Sequence, residues 1–223
     1  MTPPATALTW VNAPKSNRSR TTAERLQQTA AELLNEGMFE HATADDIARR
    51  ASVQPSAFYA RYPDKEALLR ELHESFLVDG AATAEAVLAP ERWEGRSIPE
   101  ILRETVTFVV RSYREREGLI RAFLVRAGMD EEVRERSLVF SQLMGELLRK
   151  LILARRKELL HPAPAIAAEF SIRVIHGVLQ ARALTGDHGE SGHIKLTDEQ
   201  VTTELIHAVL AYLGVFSADT WDS

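Results

Sequence analysis

Thr43-Ala44-Asp45-Asp46-Ile47-Ala48-Arg49-Arg50-Ala51, then Ser52-Val53-Gln54-Pro55, then Ser56-Ala57-Phe58-Tyr59-Ala60-Arg61-Tyr62: the fold is decided by how these residues are read. Thr43 and Asp46 stand at capping-box spacing, and Asp45 and Asp46 put negative charge in a first helical turn, where the helix dipole favours it. Pro55 suits the first turn of a second short helix, since its missing N–H costs nothing there. Upstream, Leu26, Ala30, Leu33 and Leu34 form the apolar stripe of a helix that ends near Gly37. An amphipathic helix followed by two short helices and a tight turn makes a helix-turn-helix.

Outward from this motif, helical spacing recurs and strand-like alternation never persists. Pro63-Asp64 opens a fourth helix carrying Leu68, Leu69, Leu72 and Phe76. Ser97 with Glu100 caps another, Asp130 precedes a long one, and Pro162 and Pro164 precede a helix to about Leu184. Residues 186–195 read as a polar loop, and Thr197 with Gln200 caps a last helix to about Leu213. The expected fold is all-α with about nine helices. A flexible basic arm (1–19) precedes a three-helix DNA-binding domain (20–76), a larger regulatory and dimerisation domain (77–215) and a short tail (216–223). The arm gathers Lys15, Arg18 and Arg20, placed to lie along phosphates or to sit in solvent.

The 223 residues, 45% hydrophobic and 26% charged, are ordinary for a globular protein. No apolar run nears the roughly 20 residues that span a bilayer, and no secretory pattern opens the chain. Absence of cysteine excludes disulfides and thiolate metal sites and fits a reducing cytoplasm. A net charge of −5 speaks against DNA binding unless basic residues gather locally. Arg18, Arg20, Arg49, Arg50, Arg61 and Lys65 do lie near the motif, although Glu36, Glu40, Asp45 and Asp46 dilute them. No hydrolase, nucleotide-binding or zinc-protease motif occurs, so no enzyme, cofactor or metal is expected. Asp187, His188 and His193 could hold a metal, but read better as a solvated loop.

Over residues 22–69 the chain resembles the DNA-binding domain of the TetR (tetracycline-repressor) family. The resemblance rests on Asp46-Ile47-Ala48, Phe58-Tyr59 and Lys65-Glu66-x-Leu68 at matching separations. It implies that Gln54, Ser56 and Ala57 face the DNA groove, that Tyr59 and Lys65 contact phosphates, and that Ile47, Ala48, Ala51, Val53, Phe58 and Leu68 pack the motif. Thr43 caps the second helix and has a hydroxyl and an N–H to offer a phosphate; Arg61, where an aromatic or histidine is common, adds a possible phosphate contact. Ser52 replaces the usual turn glycine, at a cost on the order of 1 kcal/mol if its backbone is left-handed.

Two further features point to a ligand-responsive dimer. The helix from about Ala165 to Leu184 has one apolar stripe of Ile166, Phe170, Val174 and Val178 and another of Ile172, Ile175, Leu179 and Ala183. The last helix likewise sets Val201, Leu205, Val209 and Tyr212 against Ile206, Leu210 and Leu213. Helices apolar on two faces are buried on both, which suits half of an intermolecular four-helix bundle or a large monomeric core. Phe170, Val174, Val178, Leu205, Val209 and Tyr212 are the expected interface. Phe108, Tyr113, Phe123, Phe140, Met144, Phe170 and His176 are candidates to line an apolar pocket. The expected protein is a cytoplasmic homodimeric transcriptional regulator, a repressor released from a palindromic DNA operator by a small-molecule effector. The rival readings are a helical dimeric adaptor that has lost DNA binding and a metal-dependent enzyme.

Overall fold

The computed structural model describes residues 17–186 and 194–215. Among them the chain forms α1 (Asn17–Asn35), α2 (Ala44–Arg50), α3 (Pro55–Tyr59), α4 (Lys65–Val87), α5 (Ile98–Glu115), α6 (Glu117–Ala127), α7 (Glu131–Ala154), α8 (Pro164–Thr185) and α9 (Asp198–Leu213), with three short 3-10 turns and no strand. All three capping pairs form. Thr43 caps α2 with Asp46, Glu100 accepts the Ser97 N–H and hydroxyl at α5, and Thr197 pairs with Gln200 at α9. Asp64 and Asp130 cap α4 and α7 by accepting N–H bonds from the first turns. Residues 17–19, expected in the arm, belong to α1, whereas residues 1–16, the loop at 187–193 and the tail at 216–223 lie outside the described residues.

The chain divides into two compact units. One contains residues 17–80 and 118–137, so it takes in α6 and the start of α7 as well as the helix-turn-helix. Its core gathers Leu26, Leu34, Ile47, Phe58, Tyr62, Leu68, Leu119 and Phe123. Each fully buried Leu, Ile or Phe contributes about 1.5–3 kcal/mol. Gly118 is required at the approach of α6 to α1: a Cβ there would lie 2.5 Å from the Asn35 Cα. The Asn35 side chain also accepts the Leu119 N–H at 3.2 Å. The expected boundary at residue 76 falls inside α4, which runs unbroken to Val87.

The other unit contains residues 81–117 and 138–215 as far as they are described. Its main core joins α5, α8 and α9 through Leu102, Val106, Ile175, Leu179, Leu205, Val209 and Leu213. A smaller cluster of Leu88, Trp93, Ile101 and Leu151 sits beside it, with the Trp93 indole N–H donating to the Val87 carbonyl at 2.8 Å.

Candidate nucleic-acid interface

The turn from α2 to α3 places the interface. Val53 N–H bonds to Ala48 O at 2.8 Å and Ser52 N–H to Arg49 O at 3.0 Å, the paired bonds that close a helix C-terminus. Such a closure requires a left-handed residue, and Ser52 adopts it, with φ +54°. Glycine would take this conformation without a Cβ penalty. Gln54 then precedes α3 with no side-chain cap, and Pro55 opens the helix.

Gln54, Ser56 and Tyr59 are exposed along α3, and Ala57 is half-buried. Phe58, between them in sequence, is fully buried and anchors the helix. The Asp45 carboxylate lies near the Tyr59 hydroxyl. Partial withdrawal from water and that neighbouring charge hold the phenol above its ordinary pKa. At the start of α2, the Thr43 hydroxyl donates to Asp46 at 2.6 Å and its N–H at 3.0 Å, and these bonds keep the Asp46 carboxyl below its usual range. Both Thr43 donors are therefore engaged, and a phosphate there would have to displace an acid. Arg49 pairs with Asp46 at 3.0 Å, Arg50 with Glu36 at 2.5 Å, and Arg20 with Glu24 at 3.9 Å.

Two expected phosphate contacts are engaged within the protomer. Arg61 is only 8% exposed. Its guanidinium bonds to the Tyr62 hydroxyl at 3.0 Å and pairs with Glu71 of α4, so it points into the domain. Lys65 spends its ammonium on the carbonyls of Phe39, Glu40 and Ala42 at 3.0–3.3 Å. This pins the 3-10 turn Phe39–His41 to α4. The sequence offered no sign of Glu71 as a partner, because the pairing depends on how α3 and α4 cross.

The pocket and interface residues divide similarly. Met144 and His176 share a cavity of about 30 Å³ with Thr105, Val109 and Ile172. Burial lowers the His176 pKa, so its imidazole is neutral at pH 7. Phe108 and Phe140 are half-buried outside that lining, and Tyr113 faces a separate cleft between α5 and α8. Phe123 is no pocket residue: it packs in the helix-turn-helix unit against His73 and Phe76, at 4.7 and 5.4 Å between ring centres. Phe170 is not one either, being 50% exposed and packed at a tilt against Tyr212. With Ile166, Val178 and Tyr212 it forms an exposed apolar face on α8 and α9, beside half-buried Val174. Leu205 and Val209 are corrected as interface residues, since both are buried in the protomer's own core. An open groove of about 530 Å³ between α5 and α9, lined in part by Arg103, Thr202 and His207, went unread in the sequence. No group of three His, Asp or Glu side chains fit to hold a metal occurs among the described residues. The Asp187, His188 and His193 cluster lies outside them. Among the described residues no helix is long and apolar enough to cross a membrane.

Residues 26–72, which contain this motif, match the family model of the bacterial regulatory proteins of the tetR family. The match covers this segment and not the rest of the chain. Solved structures share the wider fold. A TetR-family regulator from Mesorhizobium loti superposes with a TM-score of 0.70 at 16% identity, covering 91% of this chain and 100% of its own. NalD of Pseudomonas aeruginosa, the secondary repressor of the MexAB-OprM efflux pump, superposes at 0.60 with 21% identity over 87% and 98%. The Thermus thermophilus repressor FadR, solved with lauroyl-CoA, superposes at 0.52 with 19% identity over 90% and 98%. No curated protein matches the chain. The chain thus carries a segment that matches the TetR-type helix-turn-helix, and it shares the overall helical fold of these solved structures.

Proposed function

We propose that the protein is a sequence-specific transcriptional repressor that binds a palindromic operator as a homodimer in the cytoplasm and is released by a small molecule. The observation that carries this is the exposure of Gln54, Ser56 and Tyr59 on α3, inside the family-matched segment and directly after a properly closed turn. The N-terminal residues of a recognition helix are the ones that meet base edges in the major groove. Ser52 stands where the resemblance expects glycine, yet its left-handed backbone builds the turn in spite of the side chain, which supports DNA binding over an adaptor that has lost it.

The exposed face of Ile166, Phe170, Val178 and Tyr212 supports dimerisation, since a contiguous apolar surface of this kind marks an interface. A two-fold pair of motifs then reads two half-sites. The cavity beside Met144 and His176 is the proposed effector site. Its lining holds no Arg, Lys, Asp or Glu, and its polar groups are the Thr105 hydroxyl and a neutral imidazole. That chemistry favours an uncharged, mainly apolar effector over a phosphate or carboxylate. At about 30 Å³ the space is no larger than a water needs, so an effector enlarges it, and the flexible Met144 is the side chain best suited to yield.

The test is recovery of fragments from the source genome on the purified protein, followed by sequencing. Enrichment of a short inverted repeat is the expected result. Folded, dimeric protein that enriches nothing would refute the operator-binding function.

A further inference from the structure

α3 is five residues long, too short to hold a direction of its own. Its angle is set by what grips its ends. Phe58 packs downwards from the middle, fully buried. Just past its C-terminal end, Arg61 and Tyr62 turn inwards to Glu71 of α4. Arg61 Nε donates to the Tyr62 hydroxyl at 3.0 Å, the same hydroxyl donates to Glu71 Oε2, and Arg61 Nη2 pairs with Glu71 Oε1. The three side chains close a ring in which each bonds the other two. Tyr62 is fully buried and Arg61 nearly so. Burial and the Glu71 carboxylate keep the Tyr62 phenol protonated. Buried ion pairs contribute little net stability compared with apolar side chains of similar size. What such a pair does supply is geometry, because the planar guanidinium fork meets a carboxylate in few orientations.

We propose that the Arg61–Tyr62–Glu71 ring is a positioning device: it fixes the angle of the recognition helix on α4 and so sets DNA specificity without touching DNA. This rests on the DNA-binding function proposed above. Tyr59 lies two residues from Arg61 and Gln54 seven, so a small rotation at the ring shifts every groove-facing group together. The ring also makes α3 and the first turns of α4 one body, so any displacement of α4 is carried directly to the recognition helix.

The test compares the wild type with Glu71→Gln, Tyr62→Phe and the paired variant Arg61→Met/Glu71→Met, which removes both charges at once. Each is titrated against the fragment most enriched by the wild type and against a scrambled duplex of equal length, across a salt series. Circular dichroism melting establishes that each is folded at the assay temperature; where a single variant is not, the paired one decides. The expected result is a fall of about ten-fold or more in affinity for the enriched fragment, on the scale of one lost base contact. Affinity for the scrambled duplex and the salt slope stay unchanged, because no phosphate contact is lost. A folded paired variant with wild-type discrimination would overturn the proposal. So would equal losses on both duplexes with a shallower salt slope, which would make Arg61 a phosphate contact. A wild type that prefers neither duplex would sink the DNA-binding function itself, a result separable from failure of the ring.

Discussion

Lys65 stands first in α4, where the helix dipole disfavours a cation. Its ammonium escapes that position by reaching three carbonyls around the Phe39–His41 turn, with the Phe39 ring 5.2 Å away. Lys65→Ala is therefore expected to cost about 1.5–3 kcal/mol of stability, the range for hydrogen bonds to a charged group. The check pairs a melting curve with a DNA titration. A lower melting temperature with an unchanged salt slope supports the structural role, whereas a shallower slope at unchanged stability restores the phosphate contact. Ser52 is the only non-glycine residue with positive φ among those described. Ser52→Gly relieves that strain and should stabilise by up to about 1 kcal/mol, net of the entropy glycine adds to the unfolded chain. In a domain of this size that corresponds to a rise of roughly 2–4 °C in melting temperature.

Between elements, α4 is fastened to α6 and α7 by polar contacts within the helix-turn-helix unit. Glu66 pairs with Arg126, Arg70 with Asp130 and Glu74 with Arg136. Among these charges His73 is buried, its Nε2 3.0 Å from the Ser137 hydroxyl and its ring edge-on to Phe123. Burial lowers its pKa to about 4, Asp130 opposing and Arg136 assisting. Because the unfolded value is about 6.5, the unfolded chain takes up the proton first. Stability is thus undiminished above about pH 6.5 and falls as the pH drops towards 4, by about 3 kcal/mol at most. Urea melts at pH 7 and pH 5 should show this loss in the wild type and a smaller one in His73→Gln. Equal losses in the two proteins would show that His73 does not carry the effect.

For the whole molecule, the proposed dimer face on α8 and α9 is what would bring two recognition helices together. Phe170→Asp places a charge on that face at a residue already half in solvent, so the protomer should remain folded. Sedimentation is expected to show a monomer. Operator affinity should fall about a hundred-fold or more, because the second half-site contact ceases to be intramolecular. A variant that stays dimeric would place the interface elsewhere.

Eight of the nine described helices, the three capping pairs and the position of the helix-turn-helix were legible in the sequence, whereas α6 was not placed there. Capping boxes, proline starts and 3.6-residue periodicity are local, acting within a turn or two of chain. The resemblance, with glycine usual at the turn, raised a left-handed Ser52 as a condition, and the structure shows that conformation. What each polar or apolar side chain faces was another matter. Arg61 and Lys65 look like phosphate ligands along the chain, and only the crossing of α3, α4 and the Phe39–His41 turn brings Glu71 and three carbonyls to them. Phe123 looked like pocket lining until α6 was seen packing with the helix-turn-helix, and Leu205 and Val209 looked like an interface until α9 was seen buried against α5 and α8. A helix with two apolar faces declares that both are covered; which one meets its own chain depends on packing between residues far apart in sequence, and no local pattern encodes it.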